Sequence, residues 1–515
     1  MTDREVSISA LLNKLADGWS ASHRSLLDEV ILRWEKRFDT RVQVKDIDEN
    51  ICNFVTYLSK IRLRGMYRLP CLIVGGKTSD LTPAVKKFWE KVKCPGRIPF
   101  VLTLSDIAYQ QALYVVPRSD CLLLPPDQVL SLLDSADPQD TLKAYLRQQI
   151  PIRRLNPYTI LHSTDGNMFF GRSKELDRLR YEKDVSFAIA GPSRIGKTSL
   201  LKQYNREMIR EGDSRVAHIR EVDFHDCQDR TPNGVARFFA MEINPSNRSN
   251  RMTAEGLVNF LKYQRSEHGH RLELLLDEVD EVCQGGAFNC LGKAAKEGIC
   301  RLILSGRGSL LKMALSSHSP IGHRLDLIRP EPLDTESAKK LILEPLMDLG
   351  FRVIGVDQII HDVFHLTGRL PHLLQSYGNK LVDIALVEGT DTISIEHIDR
   401  LKWDFEFAQY LTSPLQDIVD PKGRLLALSL LKESHRDFDI PSIQKFAEGL
   451  GFNLDYQKTK EMCNDLVIHN ILAWNQGLYR IATGALSYYA REMRFLDDAI
   501  DKARHAIKTC PDSGM

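Results

Sequence analysis

The segment from Val185 to Tyr204, VSFAIAGPSRIGKTSLLKQY, runs from an apolar stretch through a glycine-rich turn into an amphipathic stretch. Within it Gly191, Pro192, Ser193, Arg194, Ile195, Gly196, Lys197 and Thr198 meet every fixed position of GxxxxGK[ST], and Ser199 extends the binding segment. Gly191 and Gly196 are expected to turn successive N–H groups toward one point, which makes a nest for an anion. The helix that starts there adds the positive end of its dipole. Lys197 would reach the β- and γ-phosphates of a nucleoside triphosphate, and the Thr198 hydroxyl would ligate magnesium. A chance glycine turn does not reproduce the whole pattern in a strand–helix setting.

A second acidic motif follows about 80 residues later. LELLLDEVDEV (272–282) reads as a buried strand ending in Asp277-Glu278. Asp277 at the carboxyl end of that strand would hold the metal, directly or through water. Glu278 could polarise an attacking water as general base. Asp280 and Glu281 are expected on a solvated face. RLILSGR (301–307) reads as a further strand. Ser305 near its end is either a sensor of the γ-phosphate or a plain strand terminus. Arg307 and Arg324 are candidates for a charge-stabilising arginine, against the ordinary reading of a solubilising surface group.

These side chains need a scaffold. The pattern predicts an α/β fold whose core is a parallel sheet with flanking helices. Residues 1–150 read as a small α/β domain: helical segments first, then strands at 69–76, 98–105 and 120–125 alternating with helices such as TPAVKKFWEKV (82–92). Residues 151–167 are rich in turn formers and read as a linker. The nucleotide-binding core spans 168–330, and 331–412 carries apolar residues at helical spacing, as a helical lid would. Residues 413–495 offer three helical stretches followed by ILAW, Asn475-Gln476-Gly477 and LYRIA, the make-up of a winged helix, and 496–515 form a final helix and tail.

Composition narrows the class. Of the 515 residues, 43% are hydrophobic and 27% charged, ordinary for a globular protein. The 69 basic and 68 acidic residues leave a net charge of +1, so global steering toward nucleic acid is not expected. The ten cysteines include no CxxC pair, and a zinc site built on His225 and Cys227 fits no ligand spacing. Reduced, buried thiols in a cytoplasmic protein are the expectation. No run approaches the roughly 18 apolar residues of a membrane span.

Residues 168–375 resemble the AAA+-like and STAND-type ATPases, close to the origin-recognition initiator ATPases. MFFGRSKELDRL (168–179) is similar to their FxGRxxEL segment, and GPSRIGKTSLL and LLLDEVDEV to Walker A and Walker B. EPLDTESAKKLILEPLMDLG resembles the start of their helical lid, TGRLPHLLQ (367–375) their TGGHPYLLQ-like segment, and 421–495 their carboxy-terminal winged helix. The resemblance implies that Phe170, Gly171, Arg172 and Pro371 line the nucleotide site and that Arg324 is an intersubunit arginine. It also implies ATP with Mg2+, an expectation supported by the absence of an NKxD guanine-reading motif. Homo-oligomerisation on ATP binding is implied as well. Arg369 departs from the pattern by replacing the second glycine of the TGG motif. The first 150 residues are faintly like the back half of a restriction-endonuclease-like domain, without a D…ExK set, so a sensing or docking domain is expected.

The expected function is a slowly hydrolysing ATP-dependent switch that couples nucleotide state to a protein partner or to oligomerisation. The alternative is a DNA-binding initiator or loader. Against it, the third helix of the winged segment sets Asp455, Glu461 and Asp465 beside Lys458 and Lys460, and its wing strands carry Arg480 alone. A scaffold that binds nucleotide without turnover is a third class.

Overall fold

The structure is a computed structural model. It describes residues 7–509 apart from 18–22, 49, 77–79, 94–96, 160–162, 165, 212–218, 245–251, 284, 317–320, 322–323, 402–414, 416–417, 419, 434–436, 470, 484–485 and 487–494. Cys94, Cys510, residues 402–412 of the expected lid and 510–515 of the expected tail lie outside the described residues.

The amino-terminal sheet is preceded by α1 (Ile8–Ala16) and α2 (Arg24–Phe38) and built from β1 (Val42–Asp48), β2 (Ile51–Thr56), β3 (Leu69–Val74), β4 (Phe100–Thr103) and β5 (Leu122–Leu124). The strands stand in that order; β1–β2 and β2–β3 pair antiparallel, β3–β4 and β4–β5 parallel. Helices α3 (Thr82–Val92), α4 (Asp106–Val115), α5 (Pro126–Asp134), α6 (Pro138–Gln149) and α7 (Ile152–Leu155) complete this part. Every residue of β3 is buried, as parallel pairing under helices requires. The β1–β2 hairpin had no counterpart in the sequence reading. Its tight turn uses Asn50 at φ 62, a left-handed angle that asparagine tolerates.

A second sheet holds β6 (Ser186–Ala190), β7 (Ile219–Asp223), β8 (Leu272–Asp277), β9 (Cys300–Gly306) and β10 (Leu325–Ile328) in the order β10-β6-β9-β8-β7. All its pairs are parallel. Helices α8 (Ser173–Tyr181), α9 (Lys197–Glu211), α10 (Pro232–Ile243), α11 (Leu257–His268), α12 (Gly286–Lys296) and α13 (Gly308–Leu315) accompany it. The apolar core contains Phe224, Phe239, Leu261, Phe288 and the inward residues of β8 and β9. Beneath the sheet's chemistry lies one buried polar knot: Arg301 pairs with Glu273 and donates to the Val185 carbonyl at 2.7 Å, and the Tyr204 hydroxyl donates to Glu273 at 2.6 Å.

Then come α14 (Thr335–Asp348), β11 (Arg352–Val353), α15 (Val356–Thr367), α16 (Pro371–Glu388), β12 (Thr392–Ile393) and α17 (Ile395–Leu401). The carboxy-terminal part holds α18 (Pro421–Lys432), α19 (Ile440–Gly449), α20 (Tyr456–Ile468), the hairpin β13 (Leu472–Asn475) and β14 (Leu478–Ile481), and α21 (Phe495–Thr509). Gln476 and Gly477 turn that hairpin at φ 47 and 90.

These elements gather into two compact units whose boundaries cut across the chain. One contains residues 1–169, 339–354 and 378–393; the other contains 170–338, 355–377 and 394–515. In the first unit, the Arg62 guanidinium meets Glu344 at 2.9 Å and its backbone N–H donates to Asp348 at 2.6 Å. Lys143 pairs with Asp348 at 2.8 Å. The stretch read as a linker is packed where it is described: Tyr158 is fully buried, donates its hydroxyl to the Ile342 carbonyl at 2.6 Å, and lies so close to Gly378 that a Cβ there would come within 2.3 Å of its ring.

Candidate nucleotide site

The turn from β6 into α9 places Gly191–Lys197 at the carboxyl edge of the second sheet, where the field of the helix start points outward. The left-handed angles of this turn belong to Arg194 at φ 62 and Gly196 at φ 99, not to Gly191. Gly191 has room for a side chain, its nearest neighbours to an added Cβ being Ile195 and Pro330 at 3.6 Å. Its amide donates to the Gly306 carbonyl at 3.3 Å, which roots the turn on β9. The expectation that Gly191 supplies a special angle is therefore corrected.

Lys197 is 5% exposed. Its ammonium donates to the carbonyls of Gly191 at 3.1 Å and Pro192 at 2.8 Å, so it is folded back across the turn. Burial pulls its pKa below the ordinary lysine range, Arg307 adds to that pull, and Glu278, Asp277 and Asp280 oppose it. Thr198 and Ser199 are half-buried at the start of α9.

Asp277 is buried at the end of β8 and accepts the Glu278 N–H at 3.0 Å. Glu278 takes a left-handed angle, φ 50, uncommon for a residue with a side chain and a frequent mark of functional sites. Its carboxylate lies 3.6 Å from the Arg307 guanidinium. Ser305 is fully buried one residue short of the end of β9, and its hydroxyl has no hydrogen-bond partner among the described residues. An orphaned buried hydroxyl beside a basic turn, a threonine hydroxyl and an inward carboxylate form a donor set that suits a magnesium triphosphate.

Asp280 corrects the sequence expectation. Its carboxylate accepts the backbone N–H groups of Arg307 at 2.5 Å, Ser309 at 3.1 Å and Leu310 at 3.3 Å, which caps α13. Glu281 does face solvent and pairs with Arg230. Asp223, unmarked in the sequence reading, stands directly across from Asp277 at the carboxyl end of β7.

Of the residues assigned through the resemblance, Arg172 acts on the turn from behind. Its guanidinium donates to the Ile195 carbonyl at 3.3 Å and to the Glu331 carbonyl, and pairs with Glu175 at 3.3 Å. Phe170 is buried, and Gly171, at φ 70, packs so tightly that a Cβ would lie 2.9 Å from the Ser337 hydroxyl. Pro371 opens α16, and the next residue, His372, hydrogen-bonds through its ring to the backbone of Arg194. Arg369 adopts φ 60, the angle a glycine would take, and its guanidinium donates to the Leu333 carbonyl at 3.0 Å. Arg324 is not brought to this cluster. It precedes β10, whose first residue pairs with Ser186 at the opposite end of β6 from the phosphate-binding turn, and it is exposed.

One contact comes from the carboxy-terminal part of the same unit. The Ser193 N–H donates to the Ile468 carbonyl at the end of α20, at 3.3 Å. Gly308 and Gly368 are approached by Ile468 and Ala482 so closely that added Cβ atoms would meet them at 2.9 and 2.5 Å.

Residues 151–381 match the family described as Novel STAND NTPase 1. This part of the chain is an NTPase of the STAND type. Among solved structures, the NTPase is similar to the Walker-type ATPase of Pyrococcus abyssi, with 16% identity, a TM-score of 0.48, and coverage of 63% of this chain and 96% of that one. The ORC2 protein of Aeropyrum pernix in its ADPNP–ADP complexes shows 13% identity, a TM-score of 0.48, and coverage of 66% and 95%. The Aeropyrum pernix ORC1 protein in complex with DNA shows 14% identity, a TM-score of 0.38, and coverage of 66% and 94%. No curated protein sequence matches the chain significantly. Among the described residues no helix is long and apolar enough to cross a membrane.

Proposed function

We propose that this NTPase is an ATP-dependent switch with slow hydrolysis, in which the state of the phosphate site sets the arrangement of the parts attached to it. The observation that carries the reading is the joining of the two motifs at the sheet's carboxyl edge: the turn that holds Lys197 is bonded to Gly306 at the end of β9, and the next residue, Arg307, lies 3.6 Å from Glu278. Amides of the turn and Lys197 bind the phosphates; Thr198 and Asp277 would hold Mg2+, which supplies charge neutralisation when bound. Glu278 takes the proton of the attacking water as its oxygen bonds the γ-phosphorus and the bond to the β-phosphate oxygen breaks.

Coupling follows from what touches the turn. A γ-phosphate competes for the Ser193 amide held by the Ile468 carbonyl, so nucleotide loosens the winged-helix-like part. His372 ties α16 to Arg194, and the distal portions of α14 and α16 belong to the same compact unit as the amino-terminal sheet. A nucleotide can move such elements only through contacts that differ between its states, and these two contacts are the ones that adjoin the turn it would occupy. A partner protein would read the outcome, and self-association on ATP is the form the family resemblance suggests.

Calorimetry of the full chain with Mg·ATP and Mg·GTP tests the binding claim. Heat and thermal stabilisation with ATP are expected, lost in Lys197→Ala; no response in the wild-type chain ends the reading. Single-turnover phosphate release tests the base: Glu278→Gln should bind ATP and release little phosphate.

A further inference from the structure

We propose that Asp280 is a positioning residue for hydrolysis, holding Arg307 against the general base by fixing the turn between β9 and α13. The inference rests on the reading of Glu278 as that base and adds to it a second residue of the same acidic segment.

A helix start leaves its first N–H groups without partners inside the helix. Here one carboxylate takes three of them, those of Arg307, Ser309 and Leu310. It reaches them from the segment that immediately follows the acidic strand, 27 residues earlier in the chain. The turn it grips admits no side chain at Gly306, where a Cβ would lie 2.7 Å from the Asp280 carboxylate and 2.9 Å from Leu310. The Gly306 carbonyl in turn receives the Gly191 N–H. Asp280 thereby ties the end of β9 to both phosphate-site motifs at once.

The consequence falls on Arg307. Its backbone is held by Asp280, and its guanidinium is directed at Glu278, 3.6 Å away. A cation there orients the Glu278 carboxylate and stands ready to share charge that develops on a transferring phosphoryl group. Without the cap, the turn gains freedom and the guanidinium loses its fixed origin. The chain's own Arg307, rather than Arg324, is then the arginine that acts within one subunit. A solvated carboxylate would contact none of these three amides.

The test uses Asp280→Ala, Asp280→Asn, Arg307→Ala and Glu278→Gln in the full chain. Asp280→Ala should keep Mg·ATP affinity within about threefold and slow single-turnover phosphate release by about ten- to a hundredfold, the scale of a small misplacement at a reacting centre. Asp280→Asn, which retains one acceptor oxygen, should recover part of the rate. In the nucleotide-free protein, amide hydrogen exchange at Arg307, Ser309 and Leu310 should accelerate in Asp280→Ala while that of β8 stays slow. Arg307→Ala should slow the wild-type chain but add nothing to Asp280→Ala, because coupled residues are not additive. Wild-type release from Asp280→Ala, or full additivity with Arg307→Ala, overturns the proposal and leaves the base reading standing. Wild-type release from Glu278→Gln removes the base reading, and the proposal with it.

Discussion

Glu273 on β8 lies directly across from Arg301 on β9, and both side chains are buried. The pair closes a polar knot in an otherwise apolar layer, with the Tyr204 hydroxyl donating to Glu273 and the carbonyls of Val185, Leu179 and Glu182 accepting from Arg301. Removing one member strands the other charge. Arg301→Met alone should cost about 3–5 kcal/mol in urea unfolding, whereas Glu273→Leu with Arg301→Met should recover most of it. A double variant no more stable than the single one would show that the knot stabilises the fold through more than mutual compensation.

Tyr158 and Gly378 make the second prediction. The tyrosine ring occupies the space a Cβ at 378 would need. Gly378→Ala should therefore destabilise by about 1–3 kcal/mol through overpacking, although alanine is the better helix former. Tyr158→Phe keeps the shape and loses the bond to the Ile342 carbonyl, at a cost of about 1 kcal/mol. Chemical denaturation of both variants checks the ranking; an alanine variant more stable than wild type would reverse it.

Burial pushes the His372 imidazole down to about 3, with the neighbouring Arg194 charge acting in the same direction. The folded state therefore prefers the neutral ring, while the unfolded chain binds a proton near the ordinary histidine value of about 6.5. The unfolded state carries more protons between those two values, so this residue's contribution is complete above about pH 6.5 and declines as pH falls toward 3. His372→Gln should flatten that part of the stability profile, measured by urea midpoints from pH 7 to pH 4. An unchanged slope would place the acid sensitivity on other groups.

The phosphate-binding turn and Asp277-Glu278 were legible because each motif is contiguous and its setting, an apolar strand before and a helix or turn after, is local. What the sequence hid depends on distant partners. Asp280 looked like a surface acid because the turn it grips begins 27 residues later, at Arg307. The first compact unit escaped notice because Arg62 finds Asp348 286 residues away, a separation no local pattern encodes. The β1–β2 hairpin was missed for a different reason: β1 sets Lys45 and Asp46 side by side where its register shifts, and the turn lacks a glycine. Gly191 shows the converse error, since a motif glycine was credited with an angle that Arg194 adopts instead.

Arg172 gives the last prediction. Its side chain is 8% exposed, and burial lowers its pKa against the opposing pull of Glu175. The guanidinium joins the Ile195 carbonyl of the phosphate-binding turn to the Glu331 carbonyl beyond β10. Such a brace fixes where the amides of the turn point before any phosphate arrives, so removing it should weaken binding without removing a phosphate ligand. Arg172→Ala should raise the Kd for Mg·ATP by roughly ten- to a hundredfold, the equivalent of about 1.5–3 kcal/mol for hydrogen bonds to a charged group. Arg172→Lys should rescue little, because a single ammonium on a flexible stem does not reproduce a planar fork reaching two carbonyls. Calorimetric titration of the three proteins decides it: a lysine variant that binds like wild type would mean that charge at this position matters and the brace does not.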